Sequence, residues 1–213
     1  MAEGDEIVEV GRRLYGRNML AAADGNISVR MASNIILMTP SGKSKAFIKP
    51  EDLAQVSLDG RVLSGTPSTE RHMHLAVYQN VANARAVVHA HPPIAIAWTV
   101  AHPKATCMPV EYLSELILAV GRVPIVPYTR PGTVEMGTQL LPFLKDCRVM
   151  LLARHGAVAW GESLEEALWG IERVEHAAQI LRDAQAMGPL QPLPPSEVEA
   201  LWEMRKQMQG RTL

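Results

Sequence analysis

The chain has 213 residues, 47% hydrophobic and 20% charged, which fits one domain with a sizeable core rather than a disordered segment. Its formal charge of −1 at pH 7 gives no general attraction to nucleic acid or an anionic membrane, so an anionic ligand has to be held by a local site and the expected partner is a small molecule. The acidic opening Met1-Ala2-Glu3-Gly4-Asp5-Glu6 lacks the pattern of a signal peptide, no apolar run is long enough to span a membrane, and Cys107 and Cys147 form no disulfide framework or zinc-finger spacing. A reducing, cytoplasmic setting is expected.

Residues 5–20 carry Ile7, Val8, Val10, Leu14 and Leu20 at helical intervals, with Arg12, Arg13 and Arg17 between them, and predict an amphipathic helix packed on a sheet. Residues 23–30 read as a turn into a strand, and residues 34–39 as its partner across Ala32-Ser33. That hairpin ends in Thr39-Pro40-Ser41-Gly42-Lys43. Backbone N–H groups of such a small, hydroxyl-rich turn can face an anion, although any solvated turn uses the same residues. A second hairpin is predicted around Asp59-Gly60, pairing residues 54–57 with 61–63.

A helix is expected to begin near Ser68, because Met73, Val77 and Val81 recur at four-residue steps, with Ser68, Thr69 and Glu70 in its first turn. Such a helix start suits an anion. His72 and His74 face apart on a helix and should not chelate one ion, whereas His74 shares a face with Glu70.

The run Ala86-Val87-Val88-His89-Ala90-His91 reads as a buried strand whose two histidines, at i and i+2, point to one face. Residues 93–100 read as a short apolar helix containing Trp98, and His102 and His176 are expected to stay out of the chemistry. Residues 111–115 open another helix, residues 123–128 are extended, and Thr133 is expected to cap a helix reaching Leu144. Residues 148–153 form an apolar strand that delivers His155 at its end, and residues 157–161 resume an extended run. Ser163 to Glu166 is a capping box for a long helix stopped at Gly188-Pro189. A proline-rich connector, residues 189–195, leads to a second capping box at Ser196 to Glu199 and a C-terminal docking helix over 196–209, which completes a single domain of residues 1–213.

Three histidines at strand ends, His89, His91 and His155, form the ligand set of a catalytic zinc that keeps one position for water or substrate. A divalent ion there polarises carbonyl and hydroxyl oxygens and stabilises an enediolate. The accompanying acid/base is expected at Glu70.

Six ordered segments carry a resemblance: Gly25-Asn26-Ile27-Ser28, Thr39-Pro40-Ser41-Gly42, Pro67-Ser68-Thr69-Glu70, His89-Ala90-His91, Pro127-Tyr128 to Gly132-Thr133, and His155-Gly156. In order and approximate spacing the chain resembles the class II aldolase and adducin-head family, which includes L-fuculose-1-phosphate aldolase and L-ribulose-5-phosphate 4-epimerase. The resemblance implies that Asn26, Ser41, Gly42, Ser68 and Thr69 hold a substrate phosphate, that His89, His91 and His155 bind Zn2+, and that Glu70 is the catalytic acid/base. It also implies a three-layer α/β/α sandwich with a central, largely antiparallel sheet, and a homotetramer with active sites at subunit interfaces. For an aldolase it implies a tyrosine that protonates the aldehyde oxygen. Tyr112 stands nearest that place, with Glu111 where the aldolase has histidine, and Tyr128 is the substitute.

The expected function is therefore zinc-dependent aldol cleavage of a ketose 1-phosphate to dihydroxyacetone phosphate and an aldehyde. Beside it stand the family's epimerase, methylthioribulose-1-phosphate dehydratase and decarboxylase chemistries. A non-catalytic adducin-like module fits worse, because all three metal histidines are present.

Overall fold

A mixed sheet of eight strands orders the molecule, with the strands side by side as β4-β3-β2-β1-β5-β8-β7-β6. In chain order these are β1 (Asn26–Arg30), β2 (Ile35–Met38), β3 (Ala54–Ser57), β4 (Val62–Ser64), β5 (Ala86–Ala90), β6 (Ile125–Val126), β7 (Val149–Leu152) and β8 (Gly156–Gly161). Every neighbouring pair is antiparallel except β6 with β7. The computed structural model describes residues 3–208.

Side-chain alternation along the central strands builds two cores. On β5, Ala86, Val88 and Ala90 face one core, which also holds Ile7 and Leu14 of helix α1 (Glu3–Gly16), Ala95 of α3 (Pro93–Ala101), Leu116 of α4 (Ser114–Ala119) and Ile171 and Val174 of α6 (Leu164–Met187). Val87 faces the opposite core, with Met73 and Val77 of α2 (Arg71–Asn80) and Met136 of α5 (Glu135–Thr138). Helices thus cover both faces of a largely antiparallel sheet, as the resemblance implied. Val87 and Val88 are both fully buried, and each contributes roughly 1.5–3 kcal/mol by leaving water.

Several boundaries differ from the sequence reading. Helix α1 stops at Gly16, short of residue 20, because Asn18 adopts φ 58° and the Met19 N–H closes back onto the Leu14 carbonyl at 2.9 Å. Helix α2 starts at Arg71, so Ser68 and Thr69 lie in the preceding turn and Glu70 is the N-cap rather than a first-turn residue. Thr133 caps nothing. Its hydroxyl donates to the Arg130 carbonyl, and α5 ends at Thr138 before a run of turns that includes Pro142, which has no N–H to give to a continuing helix.

The Ser163 hydroxyl accepts the Glu166 N–H, while the Glu166 carboxylate turns to the Glu162 N–H and to Arg148, so only half of that capping box forms. The second box does not form: α7 (Pro195–Gln207) begins one residue earlier, with Pro194 as N-cap and no side-chain cap. Residue 209 of the expected docking helix lies outside the described residues. Helix α7 packs on α4, and buried Arg205 donates to the Leu118 carbonyl, one of the groups left open at the end of α4.

Candidate active site and metal centre

Pairing in the middle of the sheet assembles the site. The β1–β5 register sets Asn26 directly opposite His89, and the β5–β8 register sets His89 opposite Val158, two residues into the strand that follows His155-Gly156. A single bridge between Pro40 and Pro67 joins the two hydroxyl-rich turns, reinforced by Ser41 N–H to the Thr66 carbonyl at 2.9 Å and Ser68 N–H to the Thr39 carbonyl at 3.3 Å. Residues far apart in the chain therefore line one cleft of about 330 Å³, among them Asn26, Ser41, Gly42, Ser68, Thr69, Glu70, His91 and His155. His89, fully buried, stands beside the cleft residues His91, His155 and Glu70.

The three imidazoles are arranged as a triangle with ring centroids 5.0, 4.9 and 5.1 Å apart. Each offers a nitrogen, and the three nitrogens lie within 4.8 Å of one another. The protonation pattern follows from the partners of the other nitrogens. His89 donates through Nδ1 to the Ala157 carbonyl at 2.9 Å, and His91 Nδ1 faces the Asp24 carboxylate at 3.4 Å. Both Nε2 atoms are thereby left as lone pairs, and they face each other across 3.1 Å. Two such lone pairs repel unless a cation stands between them. A tetrahedral ion with bonds of about 2.1 Å to nitrogen needs its donors about 3.4 Å apart, which this spacing approximates. Burial lowers the His89 pKa to about 3, so the ring stays in the neutral form that ligates a metal.

Glu70 stands against this triangle, with Oε2 3.3 Å from His89 Nε2 and Oε1 3.3 Å from His155 Nε2. Burial opposes its charge, but the hydrogen bond to His155, the His89 ring and the Asn26 amide together hold its pKa well below the usual carboxylate range. Asn26 donates from Nδ2 to Glu70 Oε2 at 2.7 Å.

That amide is itself fixed from behind. Because Asn26 Nδ2 donates to Glu70, its Oδ1 accepts from His74 Nε2, and His74 Nδ1 accepts from the Ser28 hydroxyl at 2.7 Å. The Tyr78 hydroxyl closes the chain on Ser28 at 2.8 Å. The relay Tyr78–Ser28–His74–Asn26–Glu70 runs through side chains that are almost wholly buried up to Asn26, so its geometry is set by packing.

Comparison with known proteins shows the family. Residues 5–181 match the family model described as the class II aldolase and adducin N-terminal domain. The chain belongs to the class II aldolase and adducin family. It is 32% identical over 215 residues to a 3-oxo-tetronate 4-phosphate decarboxylase of Cupriavidus necator, covering 97% of this chain and 96% of that one. It is also 32% identical over 202 residues to a 5-deoxy-D-ribulose 1-phosphate aldolase of Bacillus thuringiensis serovar kurstaki, covering 93% of each. The crystal structure of YgbL from Escherichia coli superposes with a TM-score of 0.86 at 30% identity, over 93% of this chain and 97% of that chain.

Of the residues that the family resemblance singles out, the fold unites Asn26, Ser41, Gly42, Ser68, Thr69, Glu70, His89, His91 and His155. It does not bring either tyrosine to them within one chain. Tyr112 packs partly buried beside Leu113, Ile180 and Leu181 at the far half of α6, and Tyr128 is 60% exposed. His102 stacks on Trp98 and His176 is exposed on α6, both away from the triangle. Sequence reasoning missed Asp24, Lys45 and Pro131, which also line the cleft. None sits in a periodic pattern or metal-ligand spacing, and Lys45 reads from sequence as one more lysine in a solvated loop.

Two consequences are testable. Gly156 leaves no room for a side chain, since a Cβ there would stand 2.6 Å from the Ala90 carbonyl oxygen, 2.8 Å from His89 Cε1 and 3.0 Å from His91 Cδ2. Gly156→Ala is expected to weaken metal binding by at least about 10-fold, the size of effect that disturbed ligand orientation produces. Competition with a chromogenic chelator measures it, and unchanged affinity would show that the rings absorb the intrusion.

Burial lowers the His74 pKa from 6.5 to about 4. An unfolded chain therefore binds a proton at His74 that the folded one refuses, so this stability is complete above pH 6.5 and drains away as pH falls toward 4, by about 3 kcal/mol. Urea unfolding of metal-free protein is expected to show a steeper acid loss in wild type than in His74→Asn. Parallel pH profiles would mean that His74 is protonated in the fold.

Proposed function

We propose that this chain is a zinc-dependent lyase that breaks the carbon–carbon bond beside the carbonyl of a small phosphorylated substrate. What carries this reading is the meeting, in one cleft, of three imidazoles whose ring nitrogens converge within 4.8 Å of one another, an ionised Glu70 and two turns of hydroxyl and amide donors. Three imidazoles without cysteine suit a catalytic zinc with an open position, although cobalt, nickel or manganese also accept this set. When bound, the ion supplies Lewis-acid polarisation of substrate oxygens and stabilises enediolate charge.

The remaining work falls to the chain. Ser41, Gly42, Ser68, Thr69 and Asn26 orient the phosphate end. Glu70, kept as a carboxylate by His155 and Asn26, takes a proton from a substrate hydroxyl or from water and returns it to carbon after the bond has broken. The buried relay through His74 holds the Asn26 amide toward Glu70.

Decarboxylation of a 3-oxo acid phosphate is the first reading. Carbon dioxide departs without a proton, so this bond needs no acid at the leaving group, and among the described residues lining the cleft there is no tyrosine to serve as one. The match to the Cupriavidus decarboxylase over 97% of the chain supports it. Aldol cleavage of a ketose 1-phosphate is the second reading, supported by the match to the Bacillus aldolase. It requires Tyr112 or Tyr128 to arrive from a neighbouring subunit, which agrees with a homotetramer whose clefts lie between subunits. Residues 1–213 are read as one domain, with α7 docked on α4, and the two free cysteines suit the cytoplasm.

Both routes yield dihydroxyacetone phosphate, so the second product decides between them. Metal-loaded protein is expected to release carbon dioxide with dihydroxyacetone phosphate from 3-oxo-tetronate 4-phosphate. Release of an aldehyde from L-fuculose 1-phosphate or 5-deoxyribulose 1-phosphate, without turnover of the 3-oxo acid, would replace decarboxylation by aldol cleavage.

A further inference from the structure

Lys45 is 3% exposed, yet its side chain lines the cleft, where the ammonium donates to the Ala23 carbonyl. An ammonium carries three donors, and two of these have no partner among the described residues. Burying a cation with one carbonyl as its hydrogen-bond acceptor costs free energy that an apolar side chain of equal length would not. Burial accordingly lowers the amine's pKa, and the Asp24 and Glu70 carboxylates work against that lowering.

The surroundings suggest what the charge is for. Lys45 lies on the loop that continues from Ser41 and Gly42, and with Asn26, Ser68 and Thr69 these form a set of neutral donors in the same cleft. A phosphate dianion held by neutral donors alone has no counter-charge. Among the described residues lining the cleft, Lys45 is the one lysine or arginine.

We propose that Lys45 is the cation of the anion subsite, pairing its ammonium with the substrate's phosphate dianion while Ser41, Gly42, Ser68 and Thr69 fix the orientation. The assignment rests on reading the cleft as a sugar-phosphate site and adds the residue that makes a phosphorylated substrate preferable to its unphosphorylated counterpart. Lysine serves here as a point charge, a role that needs no fixed fork geometry.

The test is calorimetric titration of the zinc-loaded full chain with 2-phosphoglycolate and with glycolate. Wild type is expected to favour 2-phosphoglycolate. Lys45→Met and Lys45→Gln, which keep much of the buried stem, are expected to lose about 10- to 100-fold in affinity for 2-phosphoglycolate, the range of one charge-assisted hydrogen bond, with glycolate binding and metal content unchanged. Lys45→Arg, which restores the charge, is expected to recover most of the loss and serves as the reference if the neutral variants do not fold. In that event, Lys45→Arg binding glycolate better than 2-phosphoglycolate overturns the assignment. Equal losses for both probes would make Lys45 a clamp on the Ala23 turn or a carboxylate partner, and no loss would remove it from the site; either result overturns the assignment and leaves the sugar-phosphate reading standing. Wild type that does not distinguish the two probes would overturn that reading and this one together.

Discussion

Glu70→Gln is expected to keep its metal and lose turnover by about 10³-fold, the scale of a missing general acid/base. The amide is nearly the same size as the carboxylate and can still accept from the Asn26 Nδ2 that now bonds Glu70 at 2.7 Å, so the cleft should keep its shape. What it cannot do is take up and return a proton. Metal content by mass spectrometry and steady-state rates on one preparation separate the two properties. Full turnover in metal-loaded Glu70→Gln would remove this residue from the chemistry, and turnover lost along with the metal would make it a ligand rather than an acid/base.

His155→Ala is expected to abolish both metal binding and activity. Removing one of three imidazoles should weaken affinity beyond the 10- to 100-fold, or about 1.4–2.7 kcal/mol, that misplaced outer partners cost. His155 is the better choice for this test than His89. Its side chain is 11% exposed, whereas His89 is fully buried and satisfies the Ala157 carbonyl, so His89→Ala would also leave a buried acceptor unpaired at about 1–3 kcal/mol of stability. Retention of one equivalent of metal by folded His155→Ala, verified by circular dichroism, would rule out the three-imidazole centre.

The parts of this site that were legible in the sequence share a local cause. His89 and His91 are two residues apart on a strand, and strand geometry alone sends both to one face; His155 stands where an apolar strand runs out. Both hairpins announced themselves through turn residues, and the β1–β2 and β3–β4 pairings follow them. What stayed hidden depends on long-range register. Asn26 opposite His89, the Pro40–Pro67 bridge and the reach of Lys45 into the cleft are each created by contacts between distant segments that no local pattern specifies. The same limit explains the misplaced caps. Ser196 has a glutamate three residues on, as a capping box requires, but Pro194 and Pro195 already fix the entry to α7, and proline at the first helical position needs no partner for a missing N–H.

His74 marks the boundary between the two cases. Its four-residue spacing from Glu70 suggested a shared helix face, and the structure links the two through Asn26 rather than by direct contact, because Glu70 ends up as the N-cap of α2.

Metal dependence is the claim on which the other assignments stand, and it is tested most directly by following dihydroxyacetone phosphate release from the two candidate substrate types before chelation, after chelation, and after reloading with zinc. Release that vanishes with the metal and returns with it is the predicted result. Release that continues from metal-free protein, or none from protein carrying one zinc per chain, would contradict the account.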